Sequence, residues 1–421
     1  MQEQASNSSK RNPWLWIPTL YFVEGLPYFI VNTISLVMFK DMGMDNGTLA
    51  LLTSLISIPW VVKPLWSPFV DLVRSKRWWI VAMQFVMLAA IGLIAATVQL
   101  TTFTLTLNLF NVAAFASATH DIAADGFYML ALDEKRQSAF VGIRSTFYRI
   151  ASVFGQGVLV VMAGLLEKNM DSIPAAWSVT MIVSAAILAL FSVYHLFILP
   201  RPAEDHSTGD QTAAGIMKGF GEAFASFFRK KGVWLAIAFM LLYRLPEAFS
   251  VKMLFPFFRD PVEQGGLGFT TDMYGIVFGT FGVAALLAGG ILGGLAVSRL
   301  GLRKCMWPMA LSLALPCAVY LFMSIAQPES LWVVGACVVF DQFGYGFGFS
   351  AYMLYMMHFS QGPLKTSHYA ICTAFMALSM MLPGLVAGYL QQALGYVGFF
   401  ILVMVCCIAT FFVTFFVRRR L

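Results

Sequence analysis

The chain has 421 residues, 59% of them hydrophobic and only 11% charged, with a net charge of +6 and a mean hydropathy of +0.77. This composition excludes an ordinary soluble domain and points to a polytopic membrane protein. On such a chain the positive balance belongs to loops beside anionic lipid, not to a nucleic-acid surface.

Residues 1–13 are polar and precede a first span too long for a signal-peptide core, so no cleaved leader is expected. Twelve apolar stretches of about twenty residues or more then follow. They lie near 14–39, 48–70, 79–99, 104–130, 138–165, 177–199, 233–257, 272–297, 305–326, 331–357, 366–392 and 397–417. With the N-terminus in the cytoplasm, nineteen loop Lys and Arg residues fall inside and only Lys40, Lys168 and Arg259 outside. That asymmetry predicts a multi-pass protein of the cytoplasmic (inner) membrane with both termini cytoplasmic. The longest polar stretch divides six spans from six, giving halves at 1–200 and 233–421 around a linker at 201–232. Within the linker, Ile216, Met217, Phe220, Phe224, Phe227 and Phe228 recur near helical spacing before Arg229-Lys230-Lys231. The pattern predicts an amphipathic helix at the cytoplasmic membrane surface.

Five carboxylates interrupt the apolar spans: Glu24, Asp121, Asp125, Glu247 and Asp341, in spans one, four, seven and ten. Each costs about 2.5–3.5 kcal/mol at a bilayer centre, so such residues face a bundle interior or a wet cavity. One span in three contributing to a central cavity is the pattern of a transporter. Span four places Ser117, Asp121, Asp125 and Tyr128 on one helical face. Span five carries Arg144 and Arg149. At 1.5 Å per residue, Asp125 and Arg144 lie about 9 Å inside the cytoplasmic boundary, and Asp121 and Arg149 about 15 Å. Two ion-pair layers are expected, Asp125 with Arg144 and Asp121 with Arg149. They either only fix helix packing or form and break between conformations, moving a carboxylate between paired and unpaired surroundings and so loading and releasing a proton. Which aspartate holds that proton is left open.

Glu24 and Asp341 fall near midmembrane, while Lys63 and Lys252 are placed to snorkel toward headgroups. Arg244 and Glu247 are three apart. Arg244 either binds an anionic substrate or pairs with Glu247 or Asp341. Asp341, Tyr345, Tyr352 and Tyr355 share a face of span ten with Gly348. That stripe is either packing or a substrate platform, to which Tyr28 and Trp60 are further candidates. Glycines in span eight, Gly289xxxGly293 among them, permit close helix contact. The six cysteines sit in apolar segments without metal-ligand spacing, so no metal, disulfide or cofactor is expected. Asn46-Gly47-Thr48 matches a glycosylation sequon in an outside loop.

Tyr21, Glu24 and Pro27 in span one are echoed by Tyr243, Pro246 and Glu247 in span seven. The loops Ser67-Pro-Phe-Val-Asp71-Leu-Val-Arg74-Ser-Lys76-Arg77 and Gly293–Lys304 resemble the signature loop of the major facilitator superfamily. The resemblance implies an all-α integral membrane fold, a bundle of 12 transmembrane helices in two six-helix halves around a midmembrane site. Phe22-Val-Glu24-Gly25-Leu26-Pro27-Tyr28, Ile58-Pro-Trp60-Val-Val-Lys63-Pro64 and Ser117-Ala-Thr-His120-Asp121-Ile-Ala-Ala-Asp125-Gly-Phe-Tyr128 resemble motifs of the AmpG-type muropeptide permeases. That resemblance implies a proton-coupled importer of GlcNAc-anhydro-muramyl peptides, with Glu24, Lys63, Asp121 and Asp125 as functional positions. The Asp-Ile-Ala-Ala-Asp-Gly run also resembles the related acetyl-coenzyme A transporters. Another sugar, a peptide-like solute or a coenzyme A thioester therefore stays open as substrate, as does a non-transporting sensor. No enzyme is expected, because the Gly-x-Gly-Asp pattern of intramembrane aspartyl proteases is absent. The expected partners are a small solute, protons and membrane lipid, for a chain acting as a monomer.

Overall fold

The computed structural model describes residues 11–100, 103–203, 205, 213–362 and 364–421, and these form helices joined by short connections. Helix α1 (Ile17–Phe29) passes through a π-helical turn, Ile30–Ile34, into α2 (Ser35–Asp41). Then come α3 (Asn46–Leu55), α4 (Ile58–Leu72), α5 (Lys76–Thr97), α6 (Phe103–Ala131) and α7 (Glu134–Val153). A second π-helical stretch, Phe154–Leu159, leads into α8 (Val160–Asn169), which is followed by α9 (Ile173–Ile198) and α10 (Ala213–Phe228). The remainder is α11 (Val233–Leu242), α12 (Leu245–Arg259), α13 (Thr271–Tyr274), α14 (Val283–Leu300), α15 (Leu302–Ala314), α16 (Ala318–Ala326), α17 (Leu331–Ser360) and α18 (Lys365–Arg420).

Among the described residues, ten helical runs are long and apolar enough to cross a membrane. Helix α6 is not one of them, since Asn108, Asn111, His120, Asp121 and Asp125 leave it less apolar. The 56-residue α18 is broken at Gly395, whose φ of 67° and ψ of 175° are not helical. The break falls between the expected spans at 366–392 and 397–417. A residue with a Cβ is strained at this positive φ, so glycine lets the chain turn there.

The chain forms two compact units, the first made of residues 1–35, 62–155 and 166–219, the second of 36–61, 156–165 and 220–421. In the first, α6 packs on α5, and α1 packs on α7. Trp16, Tyr21, Ala123, Phe127 and Leu132 lie in its buried core. A polar chain crosses this core. The Gln84 amide nitrogen lies 3.0 Å from both His120 Nε2 and His195 Nδ1, and His195 Nε2 lies 2.9 Å from Thr19 Oγ1. The Gln84 side chain thus links both rings, and its amide oxygen also lies 3.1 Å from His195 Nδ1.

In the second unit, α14 packs on α17 and α18 packs on α3, α11 and α12. The glycine spacing acts as expected at Gly289. A Cβ there would stand 2.1 Å from the Phe343 carbonyl oxygen, so only glycine allows this backbone approach. At the ends of α2, α3 and α12, Lys40 pairs with Asp260 at 2.6 Å and Arg259 with Asp41 at 2.8 Å. The Asn46 side chain is buried, its amide nitrogen 2.7 Å from Gln391 and 3.1 Å from both Asp260 and the Tyr396 hydroxyl. The sequon at Asn46 is therefore not an exposed acceptor, because its amide is enclosed by this network. In α10, Ala223 and Phe227 are buried, with Phe227 against Phe359 and Phe375 and Ser226 Oγ 2.8 Å from His368 Nε2. The last turns of this helix dock on protein. The side chains of Ile216, Met217 and Phe220, and that of Asp71 in the signature loop, lie outside the described residues.

Candidate functional site

In the first unit the charged residues gather on α1, α4, α6 and α7. Asp125 accepts a hydrogen bond of 2.5 Å from the Arg144 guanidinium, the pair expected from helix depth. Arg144 also lies over the rings of Tyr21 and Tyr128, at 4.5 and 5.1 Å, and the Tyr21 hydroxyl is 3.4 Å from Asp125. The second expected pair is absent. Asp121 accepts instead from Lys63, at 2.9 Å, and Arg149 forms no ion pair among the described residues. The reason is azimuth. Arg149 is level with Asp121 in depth, but five residues beyond Arg144 it points about 140° round α7 from it. Lys63, expected to snorkel, is turned inward by its carboxylate partner.

Glu24 is buried, and its Oε2 has no hydrogen-bond partner among the described residues. Its carboxyl is near enough to Asp121 and Asp125 to interact electrostatically with both. The cluster therefore holds three carboxyls against two cations. Ser117 is buried on the same unit. Tyr28 packs against Phe29 and Tyr148. His120 belongs to the Gln84 chain and faces away from the acids.

In the second unit Arg244 is held by Glu247 through two hydrogen bonds, 3.1 and 3.3 Å. It donates a third, of 2.6 Å, to the Tyr345 hydroxyl and lies 4.7 Å from the Phe349 ring centre. Of the alternatives open in the sequence, the structure shows pairing with Glu247. Asp341 is not that partner. It accepts from the Tyr320 hydroxyl at 2.7 Å and from Gln342 at 3.0 Å, two contacts the sequence reading missed. Of the aromatic stripe, Tyr352 is fully buried with its hydroxyl on the Met240 carbonyl, a packing position. Tyr345 stays partly exposed. Trp60, also in this unit, is buried. Lys252 does not snorkel. It is buried, with its ammonium 3.1 Å from the Thr53 carbonyl oxygen. Among the described residues no group of His, Cys, Asp and Glu could hold a metal ion.

Opposite charges paired on helices of membrane length are the arrangement of a membrane transporter. The sequence profile of the Major Facilitator Superfamily matches residues 19–363, and the chain belongs to that family. It is 24% identical over 387 residues to the anhydromuropeptide permease of Escherichia coli K12, covering 91% of this chain and 75% of that one. It is 21% identical over 411 residues to a putative AmpG 4 transporter of Rickettsia felis, covering 95% of each. A protein of Haemophilus influenzae is 23% identical over 393 residues, covering 90% of this chain and 88% of that one. Among solved structures, the nucleoside transporter NupG superposes with a TM-score of 0.71 at 15% identity, covering 96% of this chain and 98% of that one. A POT family transporter gives 0.72 at 13% identity, covering 96% and 95%. These structures share the fold.

Proposed function

We propose that the chain is a proton-coupled secondary transporter importing amino-sugar solutes of the GlcNAc-anhydro-muramyl peptide class. In this reading twelve transmembrane helices form two six-helix halves, 1–200 and 233–421, joined by the linker 201–232. The protein sits as a monomer in the inner membrane, with both termini cytoplasmic. The muropeptide substrate is supported by the E. coli permease, related over 91% of this chain. The coupling is supported by one observation, the unequal charge count around Asp121. Lys63 and Arg144 neutralise Asp121 and Asp125, and Glu24 is left over beside them. A transporter that cycles this cluster between two packings changes how well each carboxyl is neutralised, and so takes up and gives back a proton. Asp121, Asp125, Arg144 and Glu24 carry the coupling, and Lys63 orients Asp121. Arg149, without an ion pair among the described residues of this conformation, is available to meet a carboxylate in the other. In the second unit Trp60, Arg244, Glu247, Asp341, Tyr345 and Tyr352 form or brace a substrate surface, and in the first unit Tyr28 is a further substrate-binding candidate.

A coenzyme A thioester fits less well, since its several phosphates need unshared cations and Lys63, Arg144 and Arg244 are each held by a carboxylate, which leaves only Arg149 and Lys252 of the five basic residues in the spans. The test is uptake of labelled GlcNAc-anhydro-muramyl peptide by permease-deficient cells expressing the chain. Saturable uptake that stops with a protonophore is expected. Uptake indifferent to the protonophore rejects the coupling, and no uptake by inserted protein rejects the substrate.

A further inference from the structure

Five basic residues lie within the apolar spans: Lys63, Arg144, Arg149, Arg244 and Lys252. Three of them are held by a carboxylate, and Arg149 is partly exposed. Lys252 is different. It is 8% exposed, and its described contacts are to neutral oxygens, the Thr53 carbonyl at 3.1 Å and Thr53 Oγ1 at 3.3 Å. The Thr53 hydroxyl spends its own proton on the Leu49 carbonyl, 2.7 Å away, so toward Lys252 it can only accept. An ammonium carries three N–H donors, and the two Thr53 oxygens take at most two of them.

The next residue on α3 supplies a second donor. Ser54 Oγ is fully buried and has no hydrogen-bond partner among the described residues. Both groups converge on Gly384 of α18. A Cβ built there would lie 2.3 Å from Ser54 Oγ and 3.3 Å from Cε of Lys252. The missing side chain at Gly384 is what leaves the serine hydroxyl and the lysine stem side by side. A buried ammonium without a counter-ion is costly. Two unsatisfied donors side by side match the two oxygens of a carboxylate. A phosphate would call for further cations, and the described residues bring no other to this spot.

We infer that Lys252 and Ser54 form a subsite for a carboxylate of the transported solute, closed on itself in this structure with the Thr53 carbonyl holding the ammonium in place. Because Thr53 and Ser54 sit on α3, Lys252 on α12 and Gly384 on α18, movement of α3 away from α12 releases the ammonium for the solute. The inference rests on the transport reading above, and it adds which chemical group of the solute is recognised and where.

The experiment is binding to the purified full-length protein, measured calorimetrically for three probes. They are GlcNAc-anhydro-muramyl peptide with free carboxylates, the same molecule with every carboxylate converted to carboxamide, and N-acetylglucosamine. A charge-assisted hydrogen-bonded contact predicts that the wild type prefers the free acid over the amide by about 10- to 100-fold. Lys252→Met removes that preference to within about twofold, Lys252→Arg retains part of it, and Ser54→Ala reduces it by a smaller factor. Ser54→Ala adds no bulk at a buried site and keeps the test open if Lys252→Met does not fold. Equal affinity of the wild type for acid and amide overturns the inference. So does a Lys252→Met variant that weakens both probes alike, or that only raises thermal stability, since those are the marks of a purely structural lysine. Binding of N-acetylglucosamine and neither peptide overturns the carboxylate subsite while leaving amino-sugar transport standing. Binding of none of the three removes both.

Discussion

Each unit holds an arginine between a carboxylate and aromatic rings, yet the two pairs differ in how far water reaches them. Side-chain exposure is 28% and 46% for Arg144 and Asp125, against 7% and 16% for Arg244 and Glu247. Replacing either arginine by methionine keeps the stem packing and deletes the charge. At the exposed pair, solvent competes for both partners, and the loss is about 1 kcal/mol for the ion pair with about 0.5–1 kcal/mol more for the tyrosine rings. At the enclosed pair, Arg244→Met strands Glu247 without a counter-ion, which costs about 3–5 kcal/mol. Adding Glu247→Gln should recover much of that loss, because a neutral amide is cheaper to bury than an unpaired carboxylate. The assay is reversible unfolding in mixed detergent micelles followed by tryptophan fluorescence, with both single variants and the double. Equal losses at the two arginines would refute the reasoning, as would a double variant no more stable than Arg244→Met alone.

Asp125→Asn should abolish net uptake of the solute while leaving insertion and folding intact, checked by uptake alongside size-exclusion of the detergent-extracted protein; full activity removes Asp125 from coupling. Gln84→Leu should lower stability by about 1–3 kcal/mol for each of the buried His120 and His195 ring nitrogens it leaves unpartnered, read as a fall in the unfolding midpoint. Gly289→Ala should destabilise by about 1–3 kcal/mol, because its Cβ meets the Phe343 carbonyl. Gly294→Ala, with nothing within 4 Å of the new Cβ, should stay close to wild type. The two glycine variants compared in one thermal series decide whether helix proximity or glycine itself matters. Asp260→Ala should cost about 3–5 kcal/mol by leaving the largely enclosed Lys40 side chain without its carboxylate, and Lys40→Met in the same background should restore part of it.

The Asp125–Arg144 pair was legible from depth alone, because two helices joined by a short loop are antiparallel neighbours and residue counts measure height. The Asp121–Arg149 expectation failed on the same arithmetic, since height says nothing about which way a side chain points round its helix. Lys63 lies 58 residues before Asp121, and no local rule brings α4 beside α6. The snorkelling expected of Lys63 and Lys252 follows when a lysine is considered on its own helix, and it gives way when a neighbouring helix offers an acceptor first. Tyr320 and Gln342 carry no sequence signal of their own, and only the packing of α16 against α17 brings the Tyr320 hydroxyl to Asp341.

Hydropathy, loop charge and helical spacing are local properties, and a bilayer enforces them residue by residue. By themselves they determined that this is a multi-pass helical membrane protein with acids in its spans. They also marked a helix within the long polar stretch, seen at Ala213–Phe228, and the faces that carry the charges. Partner choice among those charges is a matter of azimuth and of contacts between helices distant in the chain. Tertiary structure alone decided that Asp121 belongs to Lys63, that Arg244 is already satisfied by Glu247, that Asn46 is enclosed and that Lys252 is buried against Thr53 with no counter-ion among the described residues.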